Sequence, residues 1–150
     1  MTDTDRTAST ATRLRLLADM IEGHPDLPLP YISAYSSGTV DVAWYLHINE
    51  THDLAAQKTT AAAIVSSLGG QWDKRESGDE FKFTQHSDGI ALEVTVARAA
   101  VCERVVVGTH EVTVPATPKI PARPATAERT TTVEDVKWVC SSLLAEPVPA

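Results

Sequence analysis

Two groups of side chains have types and spacings that could do chemistry. His47, Glu50, His52 and Asp53 put two imidazoles and two carboxylates within seven residues. Both group types ligate metals, yet this spacing is not that of a helical zinc motif. The run also straddles a strand end and a helix start, where ligand directions diverge. It reads as a capped helix entrance with a surface histidine, and no metal site is expected. The second group is Tyr31, Ser33, Tyr35, Asp41, Tyr45 and His47, which holds all three tyrosines of the chain. On either side of the Ser36-Ser37-Gly38 stretch these residues recur in steps of two or four, as strands that deliver side chains to one face require.

Covalent catalysis is less well served. A Ser or Cys nucleophile needs a base within hydrogen-bond reach. Cys102 precedes Glu103-Arg104 in an apolar, strand-like run, and no Gly-x-Ser-x-Gly elbow occurs. Gly69-Gly70 follows a helix-forming stretch, whereas phosphate-cradling glycines precede a helix so that its N-terminus faces the anion; the pair reads as a helix stop. Trp44, Trp72 and Trp138 could stack bases, but such platforms come with a basic groove. Here Asp41, Asp73 and Glu134 lie close by in sequence. Core or interface roles are expected for the tryptophans. No catalytic residue and no cofactor emerges, and enzymatic activity is not the expectation.

The elements that must position these groups can be read from periodicity. Leu14, Leu17, Ala18 and Ile21 recur at i, i+3, i+4 and i+7. They predict an amphipathic helix of about 10 to 14 residues, closed by Gly23 and kept from resuming by Pro25. Tyr31 to Ser36 and Thr39 to Ile48 alternate as two strands. With Ser36-Ser37-Gly38 as a three-residue loop and Gly38 left-handed, Ile32 and Ala34 share a face with Val40, Val42, Trp44, Leu46 and Ile48. That register gives one clean apolar face and sends Tyr31, Ser33, Tyr35, Asp41, Tyr45 and His47 to the other.

A second helix follows, with Thr51 as N-cap, Asp53 in its first turn and Leu54, Ala61, Ala62, Ile64, Val65 and Leu68 on its buried side. Three strands come next. Glu76-Ser-Gly-Asp79 turns the chain, and Asp88-Gly89 is a two-residue hairpin signal. That signal sets Phe81 and Phe83 on the face of Ile90, Leu92, Val94 and Val96. The order helix, strand, strand, helix, strand, strand, strand predicts an α+β fold: an antiparallel sheet with two helices packed on one face. A duplicated helix-hairpin unit is one way to read it.

From Val101 the composition turns to Val, Thr and Pro. Two strand-like segments, Val101 to Val114 and Thr130 to Cys140, flank a stretch with four prolines from Pro115 to Pro124. They could pair as a long hairpin, or return to cover the tyrosine face and make it a second core. The chain is thus divided into a flexible N-terminus (1–9), an α+β core (10–98), an extended Pro-rich C-terminal arm with strand-like segments (99–145) and a frayed tail (146–150).

Charge and composition narrow the partners. The formal net charge of −7 disfavours binding to nucleic acid or to anionic lipid, both of which depend on clustered Lys and Arg. Arg104, Lys119, Arg123 and Arg129 are too sparse to make such a patch. No apolar run approaches the roughly 20 residues of a membrane span, and the first residues lack the basic-then-apolar pattern of a signal peptide. A cytoplasmic protein is expected, with Cys102 and Cys140 as reduced thiols buried in strands; a disulfide between them is the alternative.

Leu68-Gly-Gly-Gln-Trp-Asp-Lys74, Val101-Cys-Glu-Arg-Val-Val-Val-Gly-Thr109 and Val133-Glu-Asp-Val-Lys-Trp-Val-Cys140 followed by Ser-Leu-Leu-Ala145 resemble segments of small uncharacterised proteins of actinobacteria and their phages and prophages. The resemblance spans Leu14 to Ala145 and implies a cytoplasmic product of mobile-element origin. It transfers no activity and no site residue. The functional expectation is therefore a small non-enzymatic module that binds a protein partner or itself. The alternative is a binder of small molecules such as nucleotides, using Tyr31, Tyr35, Tyr45 and His47.

Overall fold

A computed structural model of the chain describes residues 2–49, 53–120 and 123–140. The expected N-cap Thr51, two members of the histidine-carboxylate run (Glu50 and His52) and the frayed tail 146–150 lie outside the described residues. The chain forms two compact units, one ending at Val101 and the other comprising Cys102–Cys140.

The first helix, α1, spans Asp3–Gly23, so it starts well before the apolar stripe. Capping explains the early start. The Thr2 hydroxyl accepts from the Asp5 amide at 3.2 Å, while the Asp5 carboxylate accepts from the Thr2 amide at 3.1 Å. Thr7, Thr10 and Thr12 then donate back to the carbonyls of Asp3, Arg6 and Ala8, which satisfies their hydroxyls within the helix. Residues 3–9, expected to be a flexible terminus, belong to this helix. Of the predicted stripe only Leu17 is buried; Leu14 and Ala18 are exposed.

Strands β1 (Tyr31–Ala34) and β2 (Val40–Tyr45) follow, then α2 (Leu46–Asn49) and α3 (Leu54–Leu68). Next come β3 (Asp73–Ser77), β4 (Glu80–Ser87), β5 (Ile90–Ala97) and α4 (Arg98–Val101). The fold is α+β, but its five-stranded sheet is mixed. Strand order is β1-β2-β5-β4-β3, and β2 runs parallel to β5 whereas all other pairs are antiparallel. The expectation of a purely antiparallel sheet is corrected by that one pair. Burial explains the choice of neighbours: β2 and β5 carry the most buried side chains and take the centre. Solvent-exposed β1 and the charged Asp-Lys-Arg-Glu-Ser of β3 form the edges, where charge discourages stray pairing.

Both hairpin registers agree with the alternation. Ile32 faces Val42 and Ala34 faces Val40, with Gly38 at φ 88° in the three-residue loop. Asp88 (φ 51°) and Gly89 (φ 77°) make the two-residue turn that sets Phe81 opposite Val96 and Phe83 opposite Val94. Val40, Val42, Phe83, Val94, Val96 and Ile64 are completely buried. Trp44 joins this core and donates its indole N–H to the Pro28 carbonyl at 2.8 Å. Asp53, not a first-turn residue, is the N-cap of α3 and accepts from the Ala56 amide at 2.9 Å. Leu54 is exposed; the buried position one turn on is Gln57, whose Oε1 accepts from the Ala97 amide at 2.8 Å at the end of β5.

In the second unit β6 (Cys102–Val114) and β7 (Arg129–Cys140) pair along their whole length as a long hairpin, with an irregularity between Val106 and Gly108. Bridges at Thr117–Thr126 and Ile120–Arg123 continue it into the Pro-rich stretch. The register places Cys102 opposite Cys140, and the two are joined as a disulfide, which corrects the expectation of reduced thiols. The pairing was obscured because the cysteines stand 38 residues apart and only the return of the strand aligns them. Among the described residues, no helix is long and apolar enough to cross a membrane.

Candidate functional site

The alternation that buries Val40, Val42, Leu92, Val94 and Val96 sends the intervening side chains of the sheet to its other face. On β1 and β2 these are Tyr31, Ser33, Asp41, Ala43 and Tyr45; on β5 and β4 they are Ala91, Glu93, Thr84 and His86. The parallel register sets Asp41 beside Ala91 and Ala43 beside Glu93, while the β4 register sets His86 beside Ala91. The result is a trough of about 350 Å³. Two small residues, Ala43 on β2 and Ala91 on β5, are flanked by Tyr31 on β1 and by Thr84 and His86 on β4, with Tyr45 two residues along β2 from Ala43.

The tyrosines are not equivalent. Tyr31 and Tyr45 lie with ring centroids 5.5 Å apart and planes tilted by 48°, an arrangement aromatic pairs favour. Tyr31 and Tyr35 remain 57% and 51% exposed, whereas Tyr45 is half-buried. Five of the six residues singled out from sequence, Tyr31, Ser33, Tyr35, Asp41 and Tyr45, therefore line one concavity. The sixth, His47, does not. The chain leaves β2 at Tyr45 and turns into α2, which carries His47 past the end of the strand and exposes Ile48. Its ring meets Tyr45 edge-on at 6.3 Å, and its Nε2 lies 3.2 Å from Glu80 Oε1.

Charges on this face form a short chain. Glu80 faces both His47 and Lys82, the latter at 3.9 Å; Lys82 reaches Glu93 at 3.3 Å, and Glu93 accepts from the Thr95 hydroxyl at 3.3 Å. The Asp41 carboxylate stands outside this chain of charges, with no side-chain hydrogen bond or ion pair among the described residues. Ser33, Asp41 and His86 have the types of a nucleophile, an orienting acid and a base, but they occupy three strands and no hydrogen bond joins their side chains among the described residues.

Sequence reasoning missed Thr84, His86, Ala91 and Glu93 as members of this site. They alternate on β4 and β5 as the tyrosines do on β1 and β2, but only the β2–β5 pairing brings the two sets together. Of the helix-entrance run, His47 and Asp53 are both engaged locally, with Glu80 and as the α3 cap. The tryptophans are dispersed: Trp44 is in the core, Trp72 donates to the Gly69 carbonyl at 2.9 Å, and Trp138 lies on β7. No family model matches the chain, and no curated protein or solved structure matches it.

Proposed function

We propose that this protein is a small non-enzymatic binding module that takes a protein partner, or a second copy of itself, on the open face of its sheet. The observation that carries the reading is the trough floored by Ala43 and Ala91, with Tyr31 and Tyr35 more than half exposed at its side. Tyrosine offers a large amphipathic contact area at low entropy cost, and exposed aromatic surface of this kind is what interfaces bury. On this reading α1 and α3 cover the apolar face of the sheet, so the tyrosine face is the one left for a partner. The resemblance of its segments to actinobacterial and phage-encoded proteins supports reading it as a mobile-element product of the cytoplasm. The Cys102–Cys140 disulfide stands in tension with that location, because cytosolic thiols are kept reduced.

The second reading, a small-molecule site, draws support from volume, since pockets for such ligands span about 300–1,000 Å³. One pair of proteins separates the two. Ala91→Phe fills the trough while leaving the buried face untouched, and circular dichroism checks that it folds. Wild type and variant are presented to a displayed peptide library, with light scattering on the same samples. The expected result is peptides, or self-association, specific to the wild type. Peptides that bind both proteins equally, together with an unchanged monomer mass, would refute the partner reading. A nucleotide or metabolite that stabilises only the wild type, by about 2.7 kcal/mol at 100 times its dissociation constant, would move the site to the second class.

A further inference from the structure

We infer that the trough is built for a cationic side chain, arginine or lysine, presented by a basic segment of the partner protein; this rests on the reading of the face as partner-binding. The inference comes from accounting for carboxylates. Glu80 is offset by His47 and Lys82, and Glu93 by Lys82 and the Thr95 hydroxyl. Asp41 is half-buried, sits across from Ser33 and beside Ala91, and has no compensating group among the described residues. Asp41 borders the trough with its side chain unengaged among the described residues, so an entering ammonium or guanidinium gains a charge-assisted hydrogen bond there without displacing an existing partner.

The walls suit the same occupant. No Lys or Arg lines the trough; its two carboxylates, Asp41 and Glu93, face an entering anion, and the remaining polar lining is His86 and the hydroxyls of Ser33, Thr84 and the tyrosines. The tilted Tyr31–Tyr45 pair offers electron-rich ring faces to a cation, and guanidinium stacks on such faces better than ammonium does. At longer range the formal charge of −7 draws basic segments toward the chain. A protein segment fits better than a free polyamine because Tyr31 and Tyr35 spread exposed aromatic surface beyond the concavity, where flanking residues would lie.

The test is a titration of the isotopically labelled full chain, followed by amide NMR at low salt, with the peptide amide Gly-Arg-Gly-Arg-Gly. The expected result is shifts centred on Ala43, Ala91 and Tyr45, with affinity lowered at least about tenfold by Asp41→Asn or by citrulline in place of arginine. Equal binding of the citrulline peptide, or no loss with Asp41→Asn in a variant whose spectrum retains its dispersion, overturns the inference. Binding of arginine amide or spermidine as tight as that of the peptide overturns the assignment to a protein segment. A library-selected peptide that fails on Ala91→Phe but binds Asp41→Asn normally overturns the cation and leaves the partner face standing. One indifferent to Ala91→Phe overturns both.

Discussion

Arg13 is the sequence neighbour of the apolar-stripe residue Leu14 on α1, and its side chain joins α1 to two turns of the sheet. Its Nε donates to the Asp88 carbonyl at 3.1 Å and its Nη1 donates to the Gly38 carbonyl. Gly38 and Gly89 both hold positive φ, and a Cβ at Gly89 would overlap the Arg13 guanidinium. Three variants isolate this arrangement. Arg13→Ala removes two hydrogen bonds from a charged donor, one part-buried and one exposed, for about 2 kcal/mol in total. Gly89→Ala costs about 1 kcal/mol for the left-handed conformation. It also expels the guanidinium and forfeits the same 2 kcal/mol, for about 3 kcal/mol together. In the double variant the overlap has gone, so the expected cost stays at about 3 kcal/mol instead of the additive 5 kcal/mol.

Urea unfolding followed by far-ultraviolet circular dichroism reads this cycle. All the helices of the described chain lie before Cys102, so the helical signal reports on the unit that contains Arg13. With a urea dependence of about 1–3 kcal/mol per molar, Arg13→Ala should lower the midpoint by about 1 M. Additivity of the two single variants within about 0.5 kcal/mol would refute the reasoning, because it would mean that Gly89 and the guanidinium do not compete for space.

Three further outcomes follow from individual contacts. Gln57→Leu keeps the volume of a completely buried side chain but strips the Ala97 amide of its acceptor, so it should cost about 1–3 kcal/mol in the same unfolding assay; an unchanged midpoint would show that the bond contributes nothing. Denatured but unreduced protein should expose no titratable thiol, and two after reduction. Opening the bridge over its 38-residue separation should then loosen the hairpin unit by up to about 4 kcal/mol, whereas two thiols reacting before reduction would disprove the pairing. The Asp5 carboxyl is held below its usual value of 3.8, first by the Thr2 hydroxyl and then by the Thr2 amide. Because the folded value is the lower one, the contribution to α1 is present above pH 3.8 and fades as pH falls through the folded value. An NMR titration in which Thr2→Ala leaves the Asp5 midpoint where it was would contradict this.

The parts of the fold legible in the sequence are those fixed by local backbone geometry. Gly38, Asp88 and Gly89 occupy positive φ, and each turn then dictates which side chains share a face. Gly69 closes α3 for the same reason, at φ 65°. What was hidden depends on distant contacts. Nothing in the alternation of β2 reveals that Leu46 begins a helical turn, and so His47 was assigned to a face it leaves. Gln57 was passed over because its burial depends on an amide 40 residues away at the end of β5. The hairpin of β6 and β7 was one of two open arrangements, since alternation alone cannot say whether two strands flanking a Pro-rich stretch meet each other or something else.

The site makes the same point more sharply, because it exists only through the pairing that the sequence concealed. Taken alone, the β1–β2 hairpin presents tyrosines around Asp41, and the β4–β5 hairpin presents Thr84, His86 and Glu93; neither is concave. Side by side in the observed register they bring Ala43 and Ala91 between the two sets and open the trough. A slip of two residues would set Asp41 beside Glu93, two carboxylates at neighbouring strand positions, which is electrostatically unfavourable. The Val40 amide donates to the Gly89 carbonyl at 3.3 Å, and Arg13 bonds the Gly38 and Asp88 carbonyls, so both turns are held at the level this register needs. The residue that bonds both turns therefore acts on the pairing that opens the trough. If Asp41 takes a basic peptide as proposed, Arg13→Ala should weaken that binding as well as stability, although the Arg13 side chain lies outside the lining.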